Sequence, residues 1–134
     1  FKHPLFKIKP ACNQVEIHPL LPQDELIAFC KEEGIVCEAY SPLGSTSSPI
    51  LTNETLVSIA ERLNIDVAQV CVSWAVQRGY VVLPKSSQVA RIEKNYKNLV
   101  KLSDEDFATV NGLKEKYGEK RFVSPDFSPF KTFE

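Results

Sequence analysis

Three short strand-like runs, at residues 11–17, 35–40 and 80–83, limit what this chain can fold into. Each is halted within a few positions by proline: Pro19, Pro42 and Pro84. The segments between them carry helical periodicity. Parallel neighbours cannot be joined by a tight hairpin and need a crossover, usually a helix, so strands alternating with helices predict parallel βα units. The expected order is strand–helix–strand–helix–helix–strand–helix–helix. Residues 11–17 should pair in parallel with 35–40, and 80–83 should lie beside the second strand.

The helices are marked by their ends and their buried faces. Residues 23–33 follow Pro22, carry Asp24 and Glu25 at the positive dipole end, and stop at Gly34. Leu26, Ile27 and Cys30 mark their inner side, with Phe29 at its edge. From Asn53, Leu56, Ile59, Ala60 and Leu63 recur at i, i+3, i+4 and i+7. Asp66 caps a helix over 67–77 with Val70, Cys71 and Trp74 inward, ended by Arg78 and Gly79. Residues 89–96 form a short helix. A last one over 104–117 has Ser103 as its cap and Phe107, Val110, Leu113 and Tyr117 on its buried face. Residues 1–9 and 46–49 read as loops. The tail, 122–134, holds Pro125 and Pro129 with Phe122, Phe127, Phe130 and Phe133, whose rings need cover.

A length of 134 residues suits one domain, and 43% hydrophobic content supports a real core. A net charge of −1 argues against a nucleic-acid binder, so any positive site must be local. No apolar run approaches membrane-spanning length and the first residues do not read as a signal peptide. A soluble, cytoplasmic protein with no membrane partner is expected. Cys12, Cys30, Cys37 and Cys71 have no CxxC spacing and read as four reduced core thiols. His3 and His18 have no cysteine at ligand spacing, so no metal site is expected.

Chemistry concentrates in the stretch Val81-Val82-Leu83-Pro84-Lys85-Ser86-Ser87-Gln88-Val89-Ala90-Arg91. A strand runs into a polar turn that opens a helix, with a lysine and an arginine close by. Free backbone N–H groups and the dipole make helix N-termini anion sites, and the two cations add charge. The alternative is a solvated loop with two surface cations. This stretch by itself leaves both open. In the first strand, Asn13 and Gln14 interrupt an apolar run, so Gln14 is either a layer-filling hydrogen-bonder or a ligand contact.

Four segments, taken together, resemble the NADP-dependent aldo-keto reductases in order and spacing. They are Asn13-Gln14-Val15-Glu16-Ile17-His18-Pro19, Tyr40-Ser41-Pro42-Leu43-Gly44-Ser45, Ser73-Trp74-Ala75-Val76-Gln77-Arg78-Gly79 and Leu83-Pro84-Lys85-Ser86. The run Leu20-Leu21-Pro22-Gln23-Asp24-Glu25-Leu26 is similar to the fungal, glycerol-dehydrogenase-type branch. The resemblance implies an α/β fold that is the C-terminal part of a (β/α)8 TIM barrel: three parallel βα units, a C-terminal helix and the tail. A whole barrel needs ~250 residues.

The resemblance also implies site roles. Gln14 would hydrogen-bond the nicotinamide carboxamide of NADP(H), and Tyr40 would stack on its ring. Ser41, Leu43 and Ser45 would line the pyrophosphate path. Lys85, Ser86, Gln88 and Arg91 would hold the 2′-phosphate, with Ser87 contributing backbone, and Asn95 would reach the adenine. Ser47 stands where many members place an aspartate that closes over the cofactor. Lys94 stands where many have a glutamate, and Gln88 where a threonine is common. The family's catalytic tyrosine, lysine, aspartate and histidine belong to its N-terminal half, and no residue here matches them. The implied function is the NADP(H)-binding half of an enzyme that reduces aldehydes and ketones. A half-barrel also leaves sheet edges open, so self-association or pairing with the missing half is expected. A non-catalytic module that pairs with another chain is the alternative.

Overall fold

A computed structural model of the chain describes residues 3–5, 7–46, 48–126 and 128–129. Its sheet has three strands, β1 (Cys12–Glu16), β2 (Val36–Tyr40) and β3 (Val81–Leu83). Both pairings are parallel, in the order β1-β2-β3, as the alternation predicts. Gln14 stands opposite Glu38, Glu16 opposite Tyr40, and Tyr40 opposite Leu83. All three strands therefore end on one side, where ligands bind in such folds.

The described residues form six α-helices: α1 (Asp24–Glu32), α2 (Glu54–Leu63), α3 (Val67–Gln77), α4 (Val89–Lys97), α5 (Asp104–Asn111) and α6 (Leu113–Tyr117). Their ends follow local chemistry. The Asn53 side chain accepts the N–H groups of Thr55 and Leu56. Gln69 accepts the N–H of Asp66 at 2.8 Å in a capping box, and Ser103 Oγ accepts the N–H of Asp106 at 3.1 Å. Gly34 takes φ +65 after α1, a value few other residues adopt cheaply. The expected helix over 104–117 is divided at Gly112, where the glycine weakens helix propensity between Asn111 and Leu113. A 3₁₀ turn, Ile50–Thr52, follows the small-polar loop.

The helices cover one face of the sheet. Ile17, Ala39, Leu56, Val70 and Trp74 are fully buried there. Trp74 ties three elements together. Its indole N–H donates to Asn111 Oδ1 at 2.8 Å, and its ring meets Tyr80 edge-on with centroids 6.3 Å apart. The Arg78 guanidinium lies over both rings and donates to the Tyr80 hydroxyl at 2.6 Å.

Among the described residues nothing covers the opposite face. Val36, Val81 and Leu83 are 52%, 45% and 39% exposed, where the helix-side Cys37 and Ala39 are buried. Strand alternation puts Cys12 on this open face with Gln14, so Cys12 is exposed and the expectation of four core thiols holds only for Cys30, Cys37 and Cys71. Burial pushes the Cys71 thiol up to about 12, an unreactive state. Phe122 packs against the core. Phe127, Phe130 and Phe133 of the tail lie outside the described residues, as does Ser47. No helix among the described residues is long and apolar enough to cross a membrane.

Candidate functional site

The turn after β3 builds its own platform. Ser86 Oγ accepts the N–H of Gln88 at 3.1 Å, a local turn that delivers the chain into α4 with Gln88 as the cap residue. Arg91 then sits in the first turn of α4, and Lys85 just before it. These residues line a cleft of about 710 Å³ between α4, the start of α3 and the loop after β2. Lys85, Ser86, Gln88, Arg91 and Asn95 supply part of its polar wall, Glu61, Asp66, Gln69 and Lys94 the rest, and Leu43, Leu51 and Val67 part of its apolar one. Lysine and arginine side chains, a hydroxyl, several amides and apolar surface in one concavity fit a phosphorylated nucleoside. Ser45 and Ser87 are exposed and do not line this cleft.

Two residues of this cleft carry an ion pair that sequence reasoning missed. Lys94 Nζ of α4 meets Asp66 Oδ2 at 2.8 Å, across the gap to the start of α3. That hydrogen bond from Lys94 holds the Asp66 carboxyl below the usual range, helped by the charges of Lys94 and Arg91. The sequence offered Asp66 only as a helix cap, and nothing local announces a partner twenty-eight residues away.

A second group lies on the open face at the ends of β1 and β2. Gln14 Nε2 donates to Glu38 Oε2 at 2.8 Å. Tyr40, half-buried, closes β2, and its hydroxyl is raised by burial and then by the charge of Glu16. Beyond it Ser41 takes φ +48 and Gly44 φ +75, and the Gly44 N–H closes a turn on the Ser41 carbonyl at 2.8 Å. A Cβ on Gly44 would stand 2.2 Å from Ser48 Oγ and 3.2 Å from the Phe122 ring, so only glycine fits here. Gln14, Tyr40 and Ser41 do not line the cleft; Leu43 is the loop residue that does.

Between the strand ends and the tail sits a buried carboxylate. Glu16 is 0% exposed. Its oxygens accept the N–H groups of Phe122 at 2.8 Å and Val123 at 3.2 Å, and Arg121 Nη1 lies 3.6 Å away. His18 Nε2 is 3.1 Å from Glu16 Oε1. Desolvation holds the His18 imidazole below its ordinary value, against the raising effect of Glu16, so it is neutral with Nε2 as donor. Its Nδ1 is buried with no partner among the described residues. The Phe122 ring lies 5.0 Å from that imidazole. His18 lies just beyond β1, in an isolated bridge with Leu21, so strand alternation did not announce its contact with Glu16. The tail partner was invisible in the sequence.

The aldo/keto reductase family profile matches residues 4–115. The chain belongs to the aldo/keto reductase family. Over 95% of its length it is 57% identical to a glycerol 2-dehydrogenase (NADP(+)) of Saccharomyces cerevisiae, of which it covers 40%. A second glycerol 2-dehydrogenase (NADP(+)), from Hypocrea jecorina, is 52% identical over 88% of the chain and covered to 38%. Among solved structures, an aldose reductase from Giardia lamblia superposes with a TM-score of 0.82 at 38% identity, over 91% of this chain and 42% of that one. The chain thus spans about 40% of the length of these relatives. The fold likeness groups the three-stranded parallel sheet and its helices with the barrels of the aldo-keto reductase type.

Proposed function

We propose that this chain is the C-terminal, NADP(H)-binding half of an aldo-keto reductase. Its complete form reduces aldehydes and ketones to alcohols. The observation that carries the reading is the gathering of Lys85, Ser86, Gln88 and Arg91 in one cleft with Leu43 and Asn95. The names of the relatives, NADP(+)-dependent dehydrogenases, support the cofactor. Lys85 and Arg91 hold the 2′-phosphate, with Ser86, Gln88 and the Ser87 backbone completing its shell. Asn95 reaches the adenine, Ser41, Leu43 and Ser45 flank the pyrophosphate, Tyr40 stacks on the nicotinamide, and Gln14 bonds its carboxamide. Bound NADPH supplies a hydride to the carbonyl carbon. This half contributes binding and orientation, and no residue of it is assigned to proton transfer.

Substituting Arg91 in the full-length protein tests the reading. A charge-assisted hydrogen bond to a phosphate is worth about 1.5–3 kcal/mol. Arg91→Gln should therefore weaken NADPH binding by roughly ten- to a hundredfold, with little change for NADH, which lacks the phosphate. Equal losses for both cofactors, followed by fluorescence titration, would place Arg91 elsewhere. A second reading, a non-catalytic half-barrel that pairs with another chain, rests on the exposed Val36, Val81 and Leu83 of the sheet's open face.

A further inference from the structure

The cleft beside α4 holds a carboxylate among its cations. Asp66, the cap residue of α3, reaches across the gap, and its Oδ2 accepts from Lys94 Nζ at 2.8 Å. Arg91 stands three residues before Lys94, so the two lie on one side of α4, and both line the cleft with Lys85 and Asp66. The Asp66 carboxyl feels the charge of Arg91 as well as that of Lys94. It thus takes a place among cations that a phosphate would also seek. The fold does not depend on the pair. The Asp66 and Lys94 side chains are 59% and 47% exposed, and exposed pairs contribute little to stability. The backbone bond from the Asp66 N–H to Gln69 Oε1, at the start of α3, needs no particular side chain at this position. Glu61, the cleft's other carboxylate, forms no salt bridge with Lys85, Arg91 or Lys94 among the described residues.

We infer that Asp66 is a specificity-determining residue that competes with a cofactor phosphate for Lys94 and Arg91, and so weakens the preference for a 2′-phosphorylated dinucleotide over its unphosphorylated counterpart. The inference rests on the cofactor reading above and adds to it a residue that acts against binding. A dianionic phosphate entering beside Lys85 and Arg91 has to draw Lys94 away from its carboxylate, and it stays under the repulsion of that charge. Both effects fall mainly on the phosphorylated cofactor. In turnover, each oxidised cofactor must leave before a reduced one enters, and a carboxylate ready to take Lys94 back favours departure.

The test measures Kd for NADPH and NADH by fluorescence titration of the full-length protein at low ionic strength, where exposed charges are least screened. Asp66→Asn keeps the size of the side chain and its capacity to cap α3 while removing the charge. It should tighten NADPH about three- to tenfold and leave NADH within about twofold. Asp66→Ser, a second neutral cap, should do the same, since the gain follows the lost charge. Glu61→Gln removes a carboxylate that holds none of these cations, and its gain should be smaller. An unchanged or weakened NADPH affinity in Asp66→Asn overturns the inference, as does equal tightening of both cofactors. A gain in Glu61→Gln as large as in Asp66→Asn overturns it too, because net charge alone would then suffice. If the unaltered protein binds neither cofactor, or Arg91→Gln shows no loss selective for NADPH, the cofactor reading falls and the inference with it. If Arg91→Gln loses NADPH selectively and Asp66→Asn gains nothing, only the role of Asp66 falls.

Discussion

His18 is fully buried and neutral, and its imidazole is held below its ordinary value chiefly by desolvation. The folded state therefore resists a proton that the unfolded chain takes up near pH ~6.5. Its contribution to stability is fully present above that value and is lost as pH falls toward the lower folded one. The expected outcome is a Tm that drops between about pH 7.5 and about pH 5.5, with a shallower drop in His18→Gln, read by calorimetry at both values. Glu16 makes a sharper case. Glu16→Ala strips the acceptor from two tail N–H groups, at a cost of about 2–4 kcal/mol. Limited proteolysis should then cut the chain near Phe122 much faster, while a tail cut at the unaltered rate would show that these bonds hold nothing in place. The position of Arg91 in the first turn of a helix opening after β3 was legible in the sequence. Glu16 was read only as part of a family segment, since its partners lie 106 and 107 residues further on.

At the scale of elements, the chain declares most of its boundaries locally. Asn53, Asp66 and Ser103 cap α2, α3 and α5 as their side-chain chemistry dictates. Asn53→Ala frees two N–H acceptances at once and should destabilise by about 1 kcal/mol, lowering Tm by about 3–5 °C in thermal denaturation. The loop after β2 is less forgiving. Gly44→Ala meets both a positive φ and Ser48 Oγ, the group that accepts the Ile50 N–H at 3.1 Å and so starts the 3₁₀ turn. A loss of about 1–3 kcal/mol is expected, with weakened cofactor affinity because Leu43 shifts with the loop. Denaturant midpoints beside NADPH titration separate the two effects. That turn, and the break at Gly112, escaped the sequence because each depends on a single residue's backbone rather than on a periodic pattern. The strand pairing did not escape, because helices between strands leave few other topologies open.

For the molecule as a whole, the two sheet faces differ in their demands. The helix side is closed around Trp74, and the other side displays Val36, Val81 and Leu83 to solvent. Contiguous apolar surface beyond a few hundred Å² is rare on soluble monomers. Residues 1–134 expressed by themselves should therefore associate at micromolar concentration, and a monomer in sedimentation at that concentration would contradict this. The part of the relatives' length that this chain does not cover could not be read out of it. What was legible was the likeness of four segments to a family whose members are more than twice as long.

The carboxylate that ties β1 to the tail also sets a timetable. Glu16 is synthesised 106 residues before Phe122. At ribosomal rates of about 5–20 residues per second, it waits roughly 5–20 s for the two N–H groups it needs. Until they arrive it stays hydrated, and the strand end around it stays open to water. A chain that stalls or is clipped before Phe122 lacks both of those N–H groups, and Glu16 is left without its tail partners. Arrival of Phe122 and Val123 is in this way registered beside Tyr40, at the end of the molecule where the cofactor reading puts the nicotinamide.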